Sequence, residues 1–231
     1  MTERADDAQS MALHAFLRLC ALEDNWPGKL VLVRGLGAEG RAASVASSIA
    51  GAACLAIEPR AEICRITLRA GACDFVVNSV DEAIRILKNE IRKCKSVSVA
   101  VAMPEAAALE ELFDRGVAPE AYIFTRTDAT DTSEHRFAGF GANIVSIATA
   151  GDSSQPHKLV QDYVETRKLT LHQLRVSTAQ ELRELDQRLA ALIPEADPRH
   201  RWATLAPGFF YRDRPYRRVA YLNPAELADL T

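Results

Sequence analysis

The 231-residue sequence contains no apolar run approaching the ~20 residues that a membrane-spanning helix needs. Its first ten residues, MTERADDAQS, are acidic where a secretory leader would be basic and then apolar, so a cytoplasmic location is expected. The five cysteines, Cys20, Cys54, Cys64, Cys73 and Cys94, form an odd set without CxxC spacing. That pattern excludes a zinc cluster and a disulfide framework and leaves buried thiols, so no metal site is expected. A formal net charge of −3 gives no overall pull toward nucleic acid or an anionic membrane. Internal repeats and low-complexity runs are absent as well.

What is present begins with 48% hydrophobic residues, enough for a buried core. Strand-like runs at Leu30–Val33, Cys54–Ile57, Phe75–Val77, Val97–Val101, Tyr122–Phe124 and Asn143–Ala148 punctuate the first two thirds of the chain. Helical patterns lie between them at Arg41–Ala50, Ala61–Ala70, Asp81–Lys93 and Glu105–Arg115. This alternation predicts an α/β fold with a parallel, doubly wound sheet, and the near-continuous apolar character of the strands predicts helices on both faces. A further helix, Ala8–Leu22, precedes the first strand and is expected to cover the sheet edge. Gly151–Pro156 reads as a linker, dividing a domain at residues 1–150 from a small, mainly helical extension at 151–231. In the extension, Leu159–Lys168 and Thr178–Ile193 read as helices, the second with Glu181 in capping-box reach. The remainder reads as irregular up to a short helix at Pro224–Leu230.

The first strand flows into Gly35-Leu36-Gly37-Ala38-Glu39-Gly40-Arg41, a GxGxxG turn at a helix start. In a Rossmann-like dinucleotide site the first glycine makes the tight turn, the second admits the pyrophosphate, and the third lets helix and strand pack closely. The second strand ends at Glu58, 18 residues past Gly40, where a carboxylate for the ribose 2′-OH belongs. The competing assignments are a glycine turn closing an α/β unit without ligand, and a Glu58 that caps the helix following Pro59. Loops at the carboxyl ends of the strands line the crevice of such sheets, which places substrate chemistry in Thr125–Gly141. There His135, beside Arg136, offers an acid or base near neutral pH, and Asp128 and Asp131 offer carboxylates. The alternatives are an exposed loop histidine and two solvated acids. Cys73 reads as a packing thiol, and Asp74 as either a site residue or a turn former.

Several separated blocks resemble the NAD-binding domain of urocanase, the urocanate hydratase family. Gly28-Lys29-Leu30-Val31-Leu32-Val33-Arg34-Gly35-Leu36-Gly37-Ala38-Glu39-Gly40 is similar to the family's GKLVLxxGLGGMGG segment. Cys54–Glu58 resembles its acid-terminated second strand, Ala70-Gly71-Ala72-Cys73-Asp74 its TGYxD block, Val80-Asp81-Glu82-Ala83-Ile84 its LDEAL block, and Arg115–Glu120 its RGVxPD block. The resemblance implies bound NAD acting as an electrophile in a hydro-lyase on a urocanate-like substrate. Gly35, Leu36, Gly37, Ala38, Glu39, Gly40, Arg41, Glu58 and Thr125 would hold the dinucleotide. The family's second, flanking domain has no counterpart here, so a partner chain is expected to complete catalysis. The family's TDQTSAHDP loop corresponds to Thr125–Ser133, which keeps the initial Thr125, and its Met in the glycine turn is Glu39. A carboxylate beside a pyrophosphate costs about 1 kcal/mol at ~4 Å in water. Either Arg34 or Arg41 offsets it, or the pocket holds a less charged ligand. The rival functions are a non-catalytic nucleotide-binding or interaction module, and an NAD-dependent oxidoreductase using His135 or Tyr122.

The segment Arg199–Arg218 carries six arginines against one acid, Asp213, interleaved with Trp202, Phe209, Phe210, Tyr211 and Tyr216. Such a stretch suits single-stranded nucleic acid. The acidity of the rest of the chain instead favours packing against its own domain, or against a second subunit in a homodimer or hetero-complex.

Overall fold

The computed structural model describes residues 7–124, 132–146 and 158–230. Six parallel strands form one sheet: β1 (Leu30–Arg34), β2 (Ala53–Ile57), β3 (Phe75–Val77), β4 (Val97–Val101), β5 (Ala121–Phe124) and β6 (Asn143–Ser146). Their spatial order is β3-β4-β2-β1-β5-β6. Leu32 of β1 lies opposite Leu55 on one side and Tyr122 on the other. Five helices make the crossovers: α2 (Ala38–Ala50), α3 (Ala61–Arg69), α4 (Val80–Arg92), α5 (Glu105–Asp114) and α6 (Ser133–Gly139), the helix α1 (Asp7–Leu22) preceding them.

Successive strand residues point to opposite faces, and both faces are buried. Val31, Val33, Cys54, Ala56 and Ile123 face a core with Ala43, Ala46 and Ile49 of α2 and Cys64 of α3. Leu30, Leu32, Leu55, Val99 and Tyr122 face the other, with Leu87 of α4, Leu112 of α5 and Phe137 of α6. The fold is therefore the expected Rossmann-like, doubly wound α/β sheet. All six strands run the same way, and β1 is flanked by β2 on one side and by β5 on the other. Helix α2, which follows β1, lies on one face of the sheet and α6, which follows β5, on the other, so the carboxyl ends of β1 and β5 flank a topological switch point, the crevice position where ligands of open α/β sheets bind.

Two parts of the outer structure differ from the sequence expectation. Helix α1 packs along α2 rather than covering the sheet edge, with Leu13, Phe16 and Leu17 buried in the first core. The second difference lies in the C-terminal part, which consists of α7 (Lys158–Thr166), β7 (Thr170–Arg175), α8 (Ala179–Leu192), α9 (Pro198–Phe209), β8 (Arg217–Leu222) and α10 (Pro224–Leu230). The capping box of α8 forms as expected between Thr178 and Glu181. The segment read as irregular instead contains α9 and a strand, β8, paired antiparallel with β7. Asp197 caps α9 and Pro198 occupies its first turn, where a missing N–H costs nothing. Strand β8 was masked by its two leading arginines, both buried here. The C-terminal part is mainly helical, and Val160, Trp202, Ala206, Phe210 and Tyr221 join the same apolar cluster as α1, α2 and the sheet.

The arginine-rich segment is engaged within the chain. Arg199, nearly buried, donates to Asp197, to both Glu226 oxygens at 2.8 and 2.9 Å, and to the Tyr221 carbonyl. Arg218 forms a two-point pair with Asp186 at 2.6 and 2.9 Å. Arg201 donates to the Ile49 carbonyl at the end of α2. Packing against its own domain is thus what these side chains do.

Candidate functional site

The turn after β1 is built by three glycines with separable duties. Gly35 has φ +82°, a left-handed conformation that suits glycine, and its N–H donates to the Ile57 carbonyl at 2.8 Å. A Cβ on Gly40 would stand 1.9 Å from the Gly35 carbonyl oxygen, so close packing of α2 onto the turn demands glycine there. Gly37 differs from both. It is exposed, its φ of −59° is ordinary, and an added Cβ would meet nothing nearer than Glu39 Oε2 at 3.8 Å. Among the described residues, packing does not require that glycine, and the space beside it is open.

Gly37 is also the N-cap of α2 and contributes no side-chain hydrogen bond. The N–H groups of a helix's first turn lack intrahelical acceptors by geometry, and the helix dipole places positive potential there. That arrangement suits an anion. The Arg41 N–H is committed to the Gly37 carbonyl at 3.0 Å. The Arg34 guanidinium is ion-paired with Glu105 at the start of α5.

Glu58 sits at the carboxyl end of β2, 1% exposed. Its Oε2 accepts the Leu36 N–H at 2.9 Å, which ties the glycine turn to β2. Arg60 provides the remaining bonds: its N–H and Nε reach Oε1 at 3.1 and 2.7 Å, and Nη2 reaches Oε2 at 3.1 Å. Burial penalises the carboxylate's charge, but the bonds from Arg60 and Leu36 outweigh it and hold Glu58 below the usual carboxylate range. Glu58 thus lies at the carboxyl end of β2, and the helix-cap alternative does not hold: the N-cap of α3 is Arg60, whose own N–H Glu58 accepts. Arg60 escaped the sequence reading. Its only signal was a cation two residues beyond an acid, a spacing too common to single out.

His135, expected in a loop, is instead exposed on helix α6, whose inward residue Phe137 packs against Phe113 and Tyr122. Its neighbour Arg136 lies 3.5 Å over the Phe113 ring and pairs with Glu110. Tyr122 is fully buried, its hydroxyl 3.0 Å from Ser133 Oγ, and burial raises its pKa. That surrounding makes it a core residue rather than a proton donor to substrate. Thr125, Asp128 and Asp131 lie outside the described residues.

Away from the crevice, Asp74 accepts the Ser98 N–H at 2.8 Å near the amino end of β4, a structural role opposite the site. The Cys73 thiol is pushed up to about 12 by burial and stays protonated, in keeping with packing. The groups at the carboxyl ends of β1 and β2 thus comprise a helix start suited to an anion, space at Gly37 open among the described residues, and a carboxylate paired with an arginine.

Compared with known protein families, residues 11–184 match the family model described as the urocanase Rossmann-like domain.

Proposed function

The chain belongs to the family of urocanase Rossmann-like domains, and from that premise we propose that it binds NAD in the crevice between β1 and β5 and serves urocanase-related chemistry. The observation that carries the reading is the division of labour in the glycine turn: Gly40 is fixed by contact with Gly35, whereas Gly37 borders open space at a helix start. A protein that needed only a tight turn would not need Gly37. The turn therefore fits a dinucleotide pyrophosphate, with Gly37, Ala38 and Glu39 alongside it. The fit at Glu58 is conditional on Arg60, which fills the carboxylate.

Bound NAD would supply an electrophilic nicotinamide ring, and hydration of a urocanate-like substrate is the reaction that the family membership favours. The chain's own part is to bind and orient the cofactor. Leu36, held by Glu58, sets the height of the glycine turn, and His135 on α6 is the candidate acid or base for the substrate. A partner chain, meeting this one through the C-terminal segment, completes the catalytic groups in the cytoplasm. A second reading, a nucleotide-binding module without hydratase activity, is favoured by the engagement of Arg34 with Glu105 and of Arg136 with Glu110, which withdraws two cations from a substrate.

The test begins with mass spectrometry of nucleotide released on denaturing the purified protein, together with calorimetric titration of NAD. The expected result is NAD release or saturable binding, abolished by Gly37→Asp, which adds bulk and charge where the pyrophosphate lies. Absence of both release and binding would overturn the cofactor assignment, and unchanged binding by the variant would overturn its placement. Loss of urocanate absorbance, with and without added cell extract, then separates hydratase from binding module.

A further inference from the structure

A carboxylate at the end of the second strand ordinarily accepts the ribose 2′-OH and repels a 2′-phosphate, whereas a nearby arginine accommodates that phosphate. Here both residue types are present and they are bonded to each other. Glu58 is 1% exposed, and its oxygens already receive four donors: the Leu36 N–H and the Arg60 N–H, Nε and Nη2. A carboxylate has about four lone-pair directions, so no acceptor capacity remains for a 2′-OH while Arg60 stays. The Arg60 side chain, by contrast, is 65% exposed. Of its guanidinium donors only Nε and one N–H of Nη2 face Glu58, which leaves the Nη1 edge directed away from the carboxylate.

We propose that Arg60 sets the cofactor choice of this crevice: by neutralising Glu58 and presenting its outer edge, it makes the site accept the 2′-phosphorylated dinucleotide, NADP, as well as NAD. The proposal rests on the dinucleotide reading above and deepens it. The pair carries no net charge, so the repulsion that a bare carboxylate would exert on a phosphate is removed. An arginine–phosphate contact is charge-assisted and bidentate in reach, the strong class of hydrogen bond. A 2′-OH gains nothing comparable, because Glu58 becomes available to it only when Arg60 swings away.

The experiment titrates NAD and NADP separately into the nucleotide-free 231-residue chain and into Arg60→Ala, with circular dichroism and Tm to show that the variant is folded. In the wild type the two Kd values are expected to lie within about tenfold of each other. In Arg60→Ala the ratio should shift toward NAD by about tenfold to a hundredfold, through weaker NADP and equal or tighter NAD binding. Should Arg60→Ala fail to fold, Arg60→Gln tests the same shift, since its amide keeps one bond to Glu58 without the charge. A wild-type preference for NAD beyond about a hundredfold, or a ratio unchanged by removing Arg60, overturns the proposal while leaving NAD binding intact. Binding of neither nucleotide overturns the dinucleotide reading itself, and the proposal with it.

Discussion

Three glycines at successive spacings in one turn would look equivalent in any motif, yet their environments assign them different physics. Gly40 touches the Gly35 carbonyl so closely that Gly40→Ala forces backbone apart, and overpacking of this kind costs roughly 1–3 kcal/mol or more. Gly37→Ala, with open space and ordinary φ, should change stability by no more than about 1 kcal/mol, because it also fixes an otherwise free backbone. Urea denaturation of the two variants is expected to show a marked fall in midpoint for Gly40→Ala and little change for Gly37→Ala. Dinucleotide binding should show the reverse sensitivity in Gly37→Ala, weakened although the fold is intact. Equal stability losses at both positions would mean that Gly37 is a packing glycine and that the open space is not a ligand space. The turn at Gly35 and the close packing at Gly40 were legible in the spacing; that Glu58 is occupied by Arg60 was not. A guanidinium's partner depends on its rotamer and on the backbone turn at Pro59, and neither follows from local pattern.

Among the elements, the sheet was readable because each strand carries apolar residues on both faces between turn-forming residues, a pattern that survives without tertiary information. The C-terminal elements were not, since α9 and β8 are stabilised by partners distant in the chain: Arg199 by Glu226, Arg218 by Asp186, and α1 by β8 through His14 and Tyr221. The last contact has a pH consequence. His14 Nε2 lies 2.9 Å from the Tyr221 hydroxyl, and burial, followed by the charge of Arg18, lowers its pKa from 6.5 to about 4. Between those values the unfolded chain binds a proton that the folded chain refuses, so stability must fall as pH drops from about 6.5 to about 4. The loss attributable to this one group is on the order of 3 kcal/mol at most. His14→Gln should therefore flatten the stability–pH curve in this window relative to wild type, while the acid loss from carboxylates at lower pH persists. Urea midpoints measured from pH 4 to 7 decide the matter, and parallel curves for the two proteins would show that His14 is not the group that resists protonation.

At the scale of the molecule, the linker-like sequence 151–156 suggested two units, whereas the packing makes one apolar body of the described sheet and the C-terminal elements. Phe16 of α1 stacks at 5.9 Å against Trp202 of α9, and Trp202 at 6.0 Å against Phe210. Gln9 donates to Asp213, and Arg201 reaches the Ile49 carbonyl. Breaking these contacts would expose apolar surface of α1 and α2 in the shared cluster, so the two ends of the chain should unfold together. The sequence supplies its own reporters, because its two tryptophans, Trp26 before β1 and Trp202 in α9, lie in the same buried cluster. Trp26→Phe leaves a probe only in the C-terminal part, and Trp202→Phe leaves one only beside the sheet. In each variant the fluorescence midpoint in urea is expected to coincide with that variant's own circular dichroism midpoint, even if the substitution lowers both. A tryptophan transition displaced from the backbone transition in either variant would separate the chain into units that melt independently. Coincidence would mean that the C-terminal elements are part of the platform holding α2, and hence the glycine turn, in place.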